Sequence, residues 1–295
     1  MSAPTTSRPS RMLNASDGLD LAVYESGTPG RPTVVLIHGY PDDHTVWDGV
    51  VEKLGGRFRV VTYDMRGAGQ SGRPKDTAGF RISQLVDDLE VVLMETAPQG
   101  AHILAHDWGS IFTWDAAADP RFGNRILSFT SISGPSLDML GAWIRRFRRN
   151  PRAVAAQLRM QAYSIGFQVP AAPEFLARRG IVARVVASSS TAGEPFGAAH
   201  TVSMADSIDG IGLYRANLVS RLLRPRPRTT TIPVQVLAPV DEVNISVAAQ
   251  TQAPVPFATD LRVREIEGNH WVIAQHPALV ADHFVDFVED LSASN

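Results

Sequence analysis

Short apolar runs and longer amphipathic segments take turns along most of this chain. Apolar periodicity of about 3.6 residues predicts amphipathic helices at 82–97 and 278–291, and a further helix opens near Trp108. This alternation favours a mostly parallel sheet covered by helices on both faces. Short apolar runs predict strands at 19–27, 32–40, 58–72 (where the strand runs into a Gly-rich loop), 101–106, 125–134, 232–240 and 261–268.

The pattern changes between Pro135 and about Thr229, where helical stretches dominate and no strand is evident. We therefore expect an α/β core in two parts, 17–135 and 230–295, with an inserted helical cap at 136–229. The polar residues 1–16 lack the apolar centre of a secretory signal and are expected to form a disordered lead-in.

Composition narrows the classes of protein that fit this pattern. The 295 residues include no Cys, which excludes disulfides and thiolate metal sites, and no apolar run is long enough to cross a bilayer. The net charge of −2 argues against a nucleic-acid partner. We expect a cytoplasmic enzyme. The chain has no G-x-G-x-x-G fingerprint, and we predict no cofactor and no metal.

The stretch "AHDWGS" (105–110) has the small residues that a sharp strand-to-helix turn requires. Such a nucleophile elbow lifts its central residue above the sheet edge, and here that residue is Asp107 rather than Ser. A carboxylate near a helix N-terminus stays ionised. The alternative is that Asp107 only caps the helix.

Other segments supply the groups that an elbow nucleophile needs. The N–H groups of Tyr40 and Trp108 are the candidates for an oxyanion hole. His270 follows the last strand and is the candidate base, oriented by Asp241 after the preceding strand, with Asp138 as a less favoured substitute for that acid. The order nucleophile, acid, histidine suits this fold. Other histidines match no such position and are expected to be solvated or capping residues: His106, His200, His276 and His283.

The motifs "HGYP", "YDMRGAGQSGRP", "AHDWGS", "VDEV" and "GNHW" together resemble the epoxide hydrolase and haloalkane dehalogenase group of the α/β-hydrolases. The resemblance implies an α/β-hydrolase fold with a cap and a small-molecule substrate. A carboxylate nucleophile can displace a leaving group from a saturated carbon and form an alkyl ester. The resemblance also implies that His38, Pro41, Phe167 and Trp271 contact the substrate.

Two cap tyrosines distinguish the two activities of this group. "YSIGFQVP" and "GLYRAN" resemble the lid segments of epoxide hydrolases, which implies that Tyr163 and Tyr214 hold the epoxide oxygen. Amphipathic packing is the other reading of both residues. Haloalkane dehalogenation stays open as an alternative, although related dehalogenases commonly have Asn at the position of Tyr40. A non-catalytic ligand-binding protein of this fold is a further alternative.

The resemblance is strongest with the hydrolase portion of mycobacterial proteins in which such a domain precedes a short-chain reductase. "VLIHGYPDDHTVWDGVV", "LAHDWGS" and "FTSISGPS" carry it. The expected activity is detoxification or processing of a lipid or xenobiotic epoxide.

Arginines cluster in the cap, at 143–152 and 221–228, in a chain with 26 Arg and two Lys. A solvated surface is the simpler interpretation. The alternative is weak association of the cap with an anionic membrane surface, from which lipid epoxides enter. A homodimer is also left open as a state of association.

Overall fold

A computed structural model describes residues 8–182, 184 and 202–293 of the chain. One sheet of eight strands forms the centre of this part, in the order β1-β2-β4-β3-β5-β6-β7-β8. The first two strands pair antiparallel, β2 pairs antiparallel with β4, and all other neighbours are parallel. The strands are β1 Arg11–Asn14, β2 Asp20–Gly27, β3 Thr33–Ile37, β4 Arg59–Tyr63, β5 Ala101–His106, β6 Ile126–Ile132, β7 Val234–Pro239 and β8 Leu261–Ile266.

Helices connect the parallel strands and form the cap. None of the helices in the described part of the chain is long and apolar enough to cross a membrane. The helices are α1 Asp48–Leu54, α2 Ile82–Thr96, α3 Asp107–Ala117, α4 Leu137–Arg145, α5 Pro151–Met160, α6 Ala162–Gly166, α7 Ala172–Arg178, α8 Met204–Asp209, α9 Ile211–Leu223, α10 Val247–Gln252, α11 Val272–Gln275 and α12 Pro277–Ala293.

The predicted α/β class and its parallel sheet are confirmed, and each predicted strand contains an observed one. The expected disordered lead-in is wrong in part. Arg11–Asn14 forms the edge strand β1, whose residues pair with Asp20–Val23 of β2. Its polar composition hid this strand, because an edge strand buries few side chains; of its four residues only Leu13 is buried. Residues 1–7 and His200 lie outside the described residues.

Strand β3 shows why helices cover both faces of the sheet. Val35 and Ile37 belong to the larger apolar core, on the side of α2 and α3, whereas Val34 and Leu36 belong to the second core, on the side of α1 and α12. Alternate residues of a strand point to opposite faces, so a strand that is apolar throughout must be buried on both. Strand β5 and the turn that carries Asp107 therefore belong to a sheet that is packed on both faces.

The described residues between β6 and β7 form the helices α4–α9 and no strand, in the region predicted as the cap. Two polar contacts attach α9 to the core. The amide of Asn217 donates to the carbonyl of Phe80 at 2.8 Å, and its oxygen accepts the N–H of Ile82 at 2.9 Å. Arg221 donates to Asp115 at 2.6 Å. Helix α9 is thus held directly over the sheet edge that carries Asp107.

Candidate active site

Asp107 lies at the turn from β5 into α3, in a backbone conformation that is unusual for a residue with a side chain. Its φ is 48°, in the left-handed region. The turn needs glycines around it: a Cβ on Gly39 would lie 2.5 Å from the Cβ of Asp107, and one on Gly109 would overlap the carbonyl oxygen of His38. These are the features of a nucleophile elbow, in which strain at one residue aims its side chain away from the sheet.

Two backbone N–H groups meet the carboxylate of Asp107. The N–H of Tyr40, in the cis Tyr40–Pro41 loop after β3, donates to Oδ2 of Asp107 at 2.8 Å. The N–H of Trp108 also stabilises the charged form. Burial raises the pKa of the Asp107 carboxyl to about 6, while the charge on His270 and these two amides oppose that rise. The two N–H groups predicted as an oxyanion hole therefore both interact with the Asp107 carboxylate.

His270 forms its acid–base contact with Glu242, not with the predicted Asp241. The Nδ1 of His270 lies 2.8 Å from Oε2 and 3.1 Å from Oε1 of Glu242, and both side chains are buried. Asp241 is exposed to solvent. The prediction of Asp241 as the orienting acid is therefore wrong in geometry: the loop after β7 turns outward at residue 241, and only the next side chain points inward.

The environment of Glu242 is built to hold a carboxylate. Its Oε1 accepts the N–H of Asn244 at 2.8 Å, which stabilises its charged form. Burial alone raises the pKa of Glu242, but His270 and hydrogen bonds such as that from Asn244 together outweigh burial, and the net shift is downward. Burial likewise lowers the pKa of His270, and the Glu242 carboxylate reverses this and raises it to about 9. The two groups form a buried ion pair behind the nucleophile.

The substitute acid, Asp138, lies elsewhere. It is buried at the start of α4, where it pairs with Arg221 and accepts the backbone N–H of Arg226 at 2.8 Å. Its carboxylate thus binds other residues of the cap. No contact joins Asp138 to His270 among the described residues.

His106 was expected to be solvated or capping, and this is also wrong. It is fully buried directly behind the candidate base, with its ring centroid 4.8 Å from that of His270. Its Nε2–H donates to the carbonyl oxygen of His270 at 2.7 Å. Burial, together with the charge on His270, lowers the pKa of His106 to about 3, so it stays neutral. His276 and His283 are only partly buried.

The two predicted cap tyrosines face Asp107 across a cavity. Tyr214 is buried in α9, where its ring packs edge-on against Trp108 at 5.0 Å and Phe167 at 4.7 Å between centroids. Tyr163 in α6 packs edge-on against the same Phe167, with ring centroids 5.8 Å apart. Removal from water and the charge of Asp107 raise the pKa of both hydroxyls above its usual value. Both therefore remain proton donors throughout the neutral range.

The cavity between cap and core has a volume of about 550 Å³. Of the predicted substrate contacts, Pro41, Phe167 and Trp271 line it. His38 does not: it is buried below the cavity, where its Nε2 accepts the N–H of Met65 at 2.9 Å and its Nδ1 lies 2.8 Å from the carbonyl of Gly39. These contacts fix the loop that carries Tyr40. Sequence reasoning missed further wall residues that are mostly apolar: Gly166, Val169, Ala172, Pro173, Leu176, Ile181, Val182 and Asn244.

One cluster of the described residues has the composition of a metal site: ligand atoms of Asp43, His44 and Asp64 lie within 4.8 Å of one another. The carboxylate of Asp64 in this cluster already accepts hydrogen bonds from neighbouring groups. Asp64 contacts Nδ1 of His44 at 2.7 Å and accepts the hydroxyl of Tyr24 at 2.9 Å and the N–H of Gln70 at 2.8 Å. This network explains the cluster as a support for the loop after β4, and we assign no metal to it.

Comparison with known proteins agrees with this architecture. Residues 32–167 match the family model of the alpha/beta hydrolase fold. A curated protein of Mycobacterium tuberculosis, "Probable oxidoreductase EphD", is 34% identical over 306 aligned residues, which cover 97% of this chain and 50% of that protein. "Epoxide hydrolase A" of the same species is 32% identical over 130 residues, 44% of this chain and 40% of its own length. The chain spans about half the length of the EphD protein, which it matches over nearly all its residues.

Solved structures show the same fold. The Bacillus megaterium epoxide hydrolase in complex with an inhibitor superposes with a TM-score of 0.79 at 18% identity, over 95% of this chain and all of that one. Epoxide hydrolase VrEH1 from Vigna radiata has a TM-score of 0.72 at 20% identity, over 95% of this chain and 97% of its own. At this identity the likeness establishes the fold.

Proposed function

Because the chain belongs to the α/β-hydrolase superfamily and carries Asp rather than Ser at its elbow, we propose that it is an epoxide hydrolase. One observation carries the proposal. Asp107, held by the Tyr40 N–H, shares a cavity with two neutral tyrosine hydroxyls and with the base His270. The names of several relatives and structural neighbours support the same activity.

In the first half-reaction, the Asp107 oxygen that faces the cavity attacks an epoxide carbon. The bond from that carbon to the epoxide oxygen breaks, and an ester to Asp107 forms. The developing alkoxide takes a proton from Tyr163 or Tyr214, which donate without needing a positive charge. The alkylation removes the negative charge of Asp107.

In the second half-reaction, His270 removes a proton from water, and the resulting hydroxide attacks the ester carbonyl carbon. The N–H groups of Tyr40 and Trp108 stabilise the tetrahedral oxyanion. The ester C–O bond then breaks, and the leaving diol oxygen takes the remaining proton of the attacking water, which regenerates Asp107 as a carboxylate. The proton held by His270 restores the tyrosinate through solvent. The net reaction is epoxide plus water to vicinal diol.

The cavity wall supports a class of substrate. Apart from the catalytic groups, the side chains that line it in the described part of the chain are apolar except Asn244, and none of these carries a charge. A charged substituent would lose its hydration there without an ionic partner, which is costly. We therefore propose uncharged, largely apolar epoxides as substrates.

The experiment that tests the function traps the ester. Purified wild-type protein should convert styrene oxide to phenylethanediol, and His270→Gln should instead accumulate a covalent adduct of substrate mass on the peptide that contains Asp107. Asp107→Asn should form neither product nor adduct. Wild-type protein that releases halide from haloalkanes but no diol from a panel of aryl, alkyl and fatty-acid epoxides would replace the proposal with dehalogenation. Thermal stabilisation by ligand without any turnover would indicate a binding protein.

A further inference from the structure

The outer surface of the cap exposes a group of large apolar side chains, called here the apolar cap face. Ile165 is 68% exposed, and the other five members are each between 42% and 53% exposed. Where exposed apolar side chains form one large patch, they mark a protein or membrane interaction site. The members are Phe147, Leu158, Ile165, Val169, Phe175 and Leu176.

This face continues into the active-site cavity. Val169 and Leu176 are half-exposed on the surface, and both also line the cavity that contains Asp107. An apolar molecule that enters past these two side chains passes from the surface to the nucleophile along an apolar wall. The face is therefore located at the mouth of the site.

The charged side chains around the apolar cap face are almost all positive. Residues 145–179 contain eight arginines and a single acidic residue, Glu174. All eight arginines are exposed, and none forms an ion pair with an acid of the described residues. Glu174 is neutralised by Arg215 of α9, whose Nη2 lies 3.1 Å from Oε2. The complementary partner is therefore both apolar and anionic.

Two phenylalanines of the face each have an arginine beside them. The guanidinium carbon of Arg179 lies 4.8 Å from the ring centroid of Phe175, and that of Arg148 lies 6.0 Å from that of Phe147. A bilayer interface offers both partners at the matching depths, because rings insert below the headgroups while guanidinium groups remain at the phosphates.

The second arginine cluster does not share this arrangement. Arg221 is bound to Asp115 and Asp138, and Arg228 lies 3.7 Å from Asp119. Arg221 and Arg228 are thus paired with acidic side chains of the core and of α4. The eight arginines around the cavity mouth have no such acidic partner among the described residues.

We propose that the apolar cap face docks on an anionic lipid bilayer and that uncharged epoxides dissolved in the bilayer enter the cavity from it. The docking stands on the surface alone, while the entry of epoxides rests on the proposed function. Arginine near an anionic surface gains electrostatic attraction, and inserted apolar side chains add to it.

Sedimentation with vesicles tests the docking. Wild-type protein should bind vesicles of equal parts phosphatidylglycerol and phosphatidylcholine at about 0.15 M salt, and pure phosphatidylcholine vesicles much less. Replacing Arg148, Arg149 and Arg152 with Gln should weaken binding about 10²-fold. The double change Phe147→Ser and Phe175→Ser should weaken it with the charge unchanged.

Matched variants of the core separate docking from general charge and hydrophobicity. Arg31, Arg81 and Arg264 are exposed, and their replacement with Gln removes the same charge from the core. Met94, which is 51% exposed on α2, provides an apolar control as Met94→Ser. Both controls should bind anionic vesicles as the wild type does.

Turnover of a water-soluble epoxide without vesicles is measured for every variant and should stay at the wild-type value. Vesicle binding by the wild type, with no epoxide turnover by any form of the protein, would support docking and overturn the proposed function. Epoxide turnover without vesicle binding would support the proposed function and overturn docking. Equal weakening by the cap and core arginine changes would overturn the proposal. So would binding to an acidic polypeptide such as polyglutamate but not to anionic vesicles, since the partner would then be a protein.

Discussion

Nδ1 of His270 lies 2.8 Å from Oε2 of Glu242, and both side chains are buried. This contact leaves Nε2 as the atom that faces water and substrate, because Nδ1 is committed to the carboxylate. It also raises the pKa of His270 to about 9. The orientation of the candidate base and the largest part of the rise in its pKa thus come from residue 242.

Glu242→Gln should therefore slow ester hydrolysis more than alkylation. An amide neither carries the charge that stabilises the imidazolium nor fixes its tautomer, and loss of general-base catalysis typically costs roughly 10²–10⁴-fold. Rapid-quench measurement with the epoxide should show accumulation of the ester on Asp107. Asp241→Asn is the matched control, since that carboxylate is exposed one residue away, and it should turn over like the wild type. A slow Asp241→Asn with a normal Glu242→Gln would reverse the assignment.

Substitution of the cap tyrosines should have the opposite effect and slow alkylation more than ester hydrolysis. Tyr163→Phe or Tyr214→Phe should slow alkylation, because one donor to the developing alkoxide typically contributes ~10²–10³ in rate, and the double variant should be nearly inactive. Tyr63→Phe is the control: its hydroxyl is buried without a hydrogen-bond partner among the described residues, so its loss should leave both steps unchanged. Two single cap variants with wild-type alkylation rates would show that these rings only pack.

Structural features could be predicted from the sequence where they depend only on residues that are close together in the chain. The continuous apolar run of β3 and the small residues around Asp107 each depend on neighbours in the chain, so the sheet and the elbow could be predicted. The choice between Asp241 and Glu242 depends on which way one loop turns. Adjacent acids in "VDEV" offered two candidates, and only the burial of the second decides between them.

The contact of His106 with His270 could not be predicted from the sequence either, because the partner of His106 is a backbone carbonyl 164 residues away. The strand pattern contained the relevant signal: His106 ends a strand in which every residue is buried, which argues against a solvated side chain. That prediction gave more weight to the polar nature of histidine than to its position in a buried strand.

His106→Leu should slow ester hydrolysis roughly 10-fold, since the carbonyl of His270 would lose its donor and a buried acceptor without one typically costs 1–3 kcal/mol. Alkylation should change little, and His106→Gln, which keeps a donor, should be milder. His102→Leu removes another buried histidine from the same strand and is the control for stability alone. If His102→Leu and His106→Leu altered the ratio of the two rates equally, positioning of His270 would not be the cause.

The two half-reactions should also respond differently to pH. Alkylation needs ionised Asp107, whose pKa burial raises to about 6, so its rate should rise with pH through about 6 and then level off. Ester formation removes the Asp107 charge, one of the groups that raise the pKa of His270, so hydrolysis should rise through a pKa below 9. Rapid-mixing single turnovers from pH 5 to 10 measure both. An alkylation rate that falls between pH 7 and 9 would contradict this assignment, because both tyrosines keep their protons there.

Oxygen-18 water distinguishes a nucleophilic Asp107 from one that acts as a general base. If the ester forms, water attacks the carbonyl carbon of Asp107 and not the substrate carbon, so the first diol released carries an unlabelled oxygen from the enzyme. The label then appears in the Asp107 carboxylate, which peptide mass analysis after a single turnover detects. Glu242, buried beside the site, is the internal control and should remain unlabelled. Label in the first diol and none in Asp107 would mean that water opens the epoxide directly. The contact between Tyr40 N–H and Asp107 Oδ2 would then orient a base, and the ester mechanism would be abandoned even if diol formation were observed.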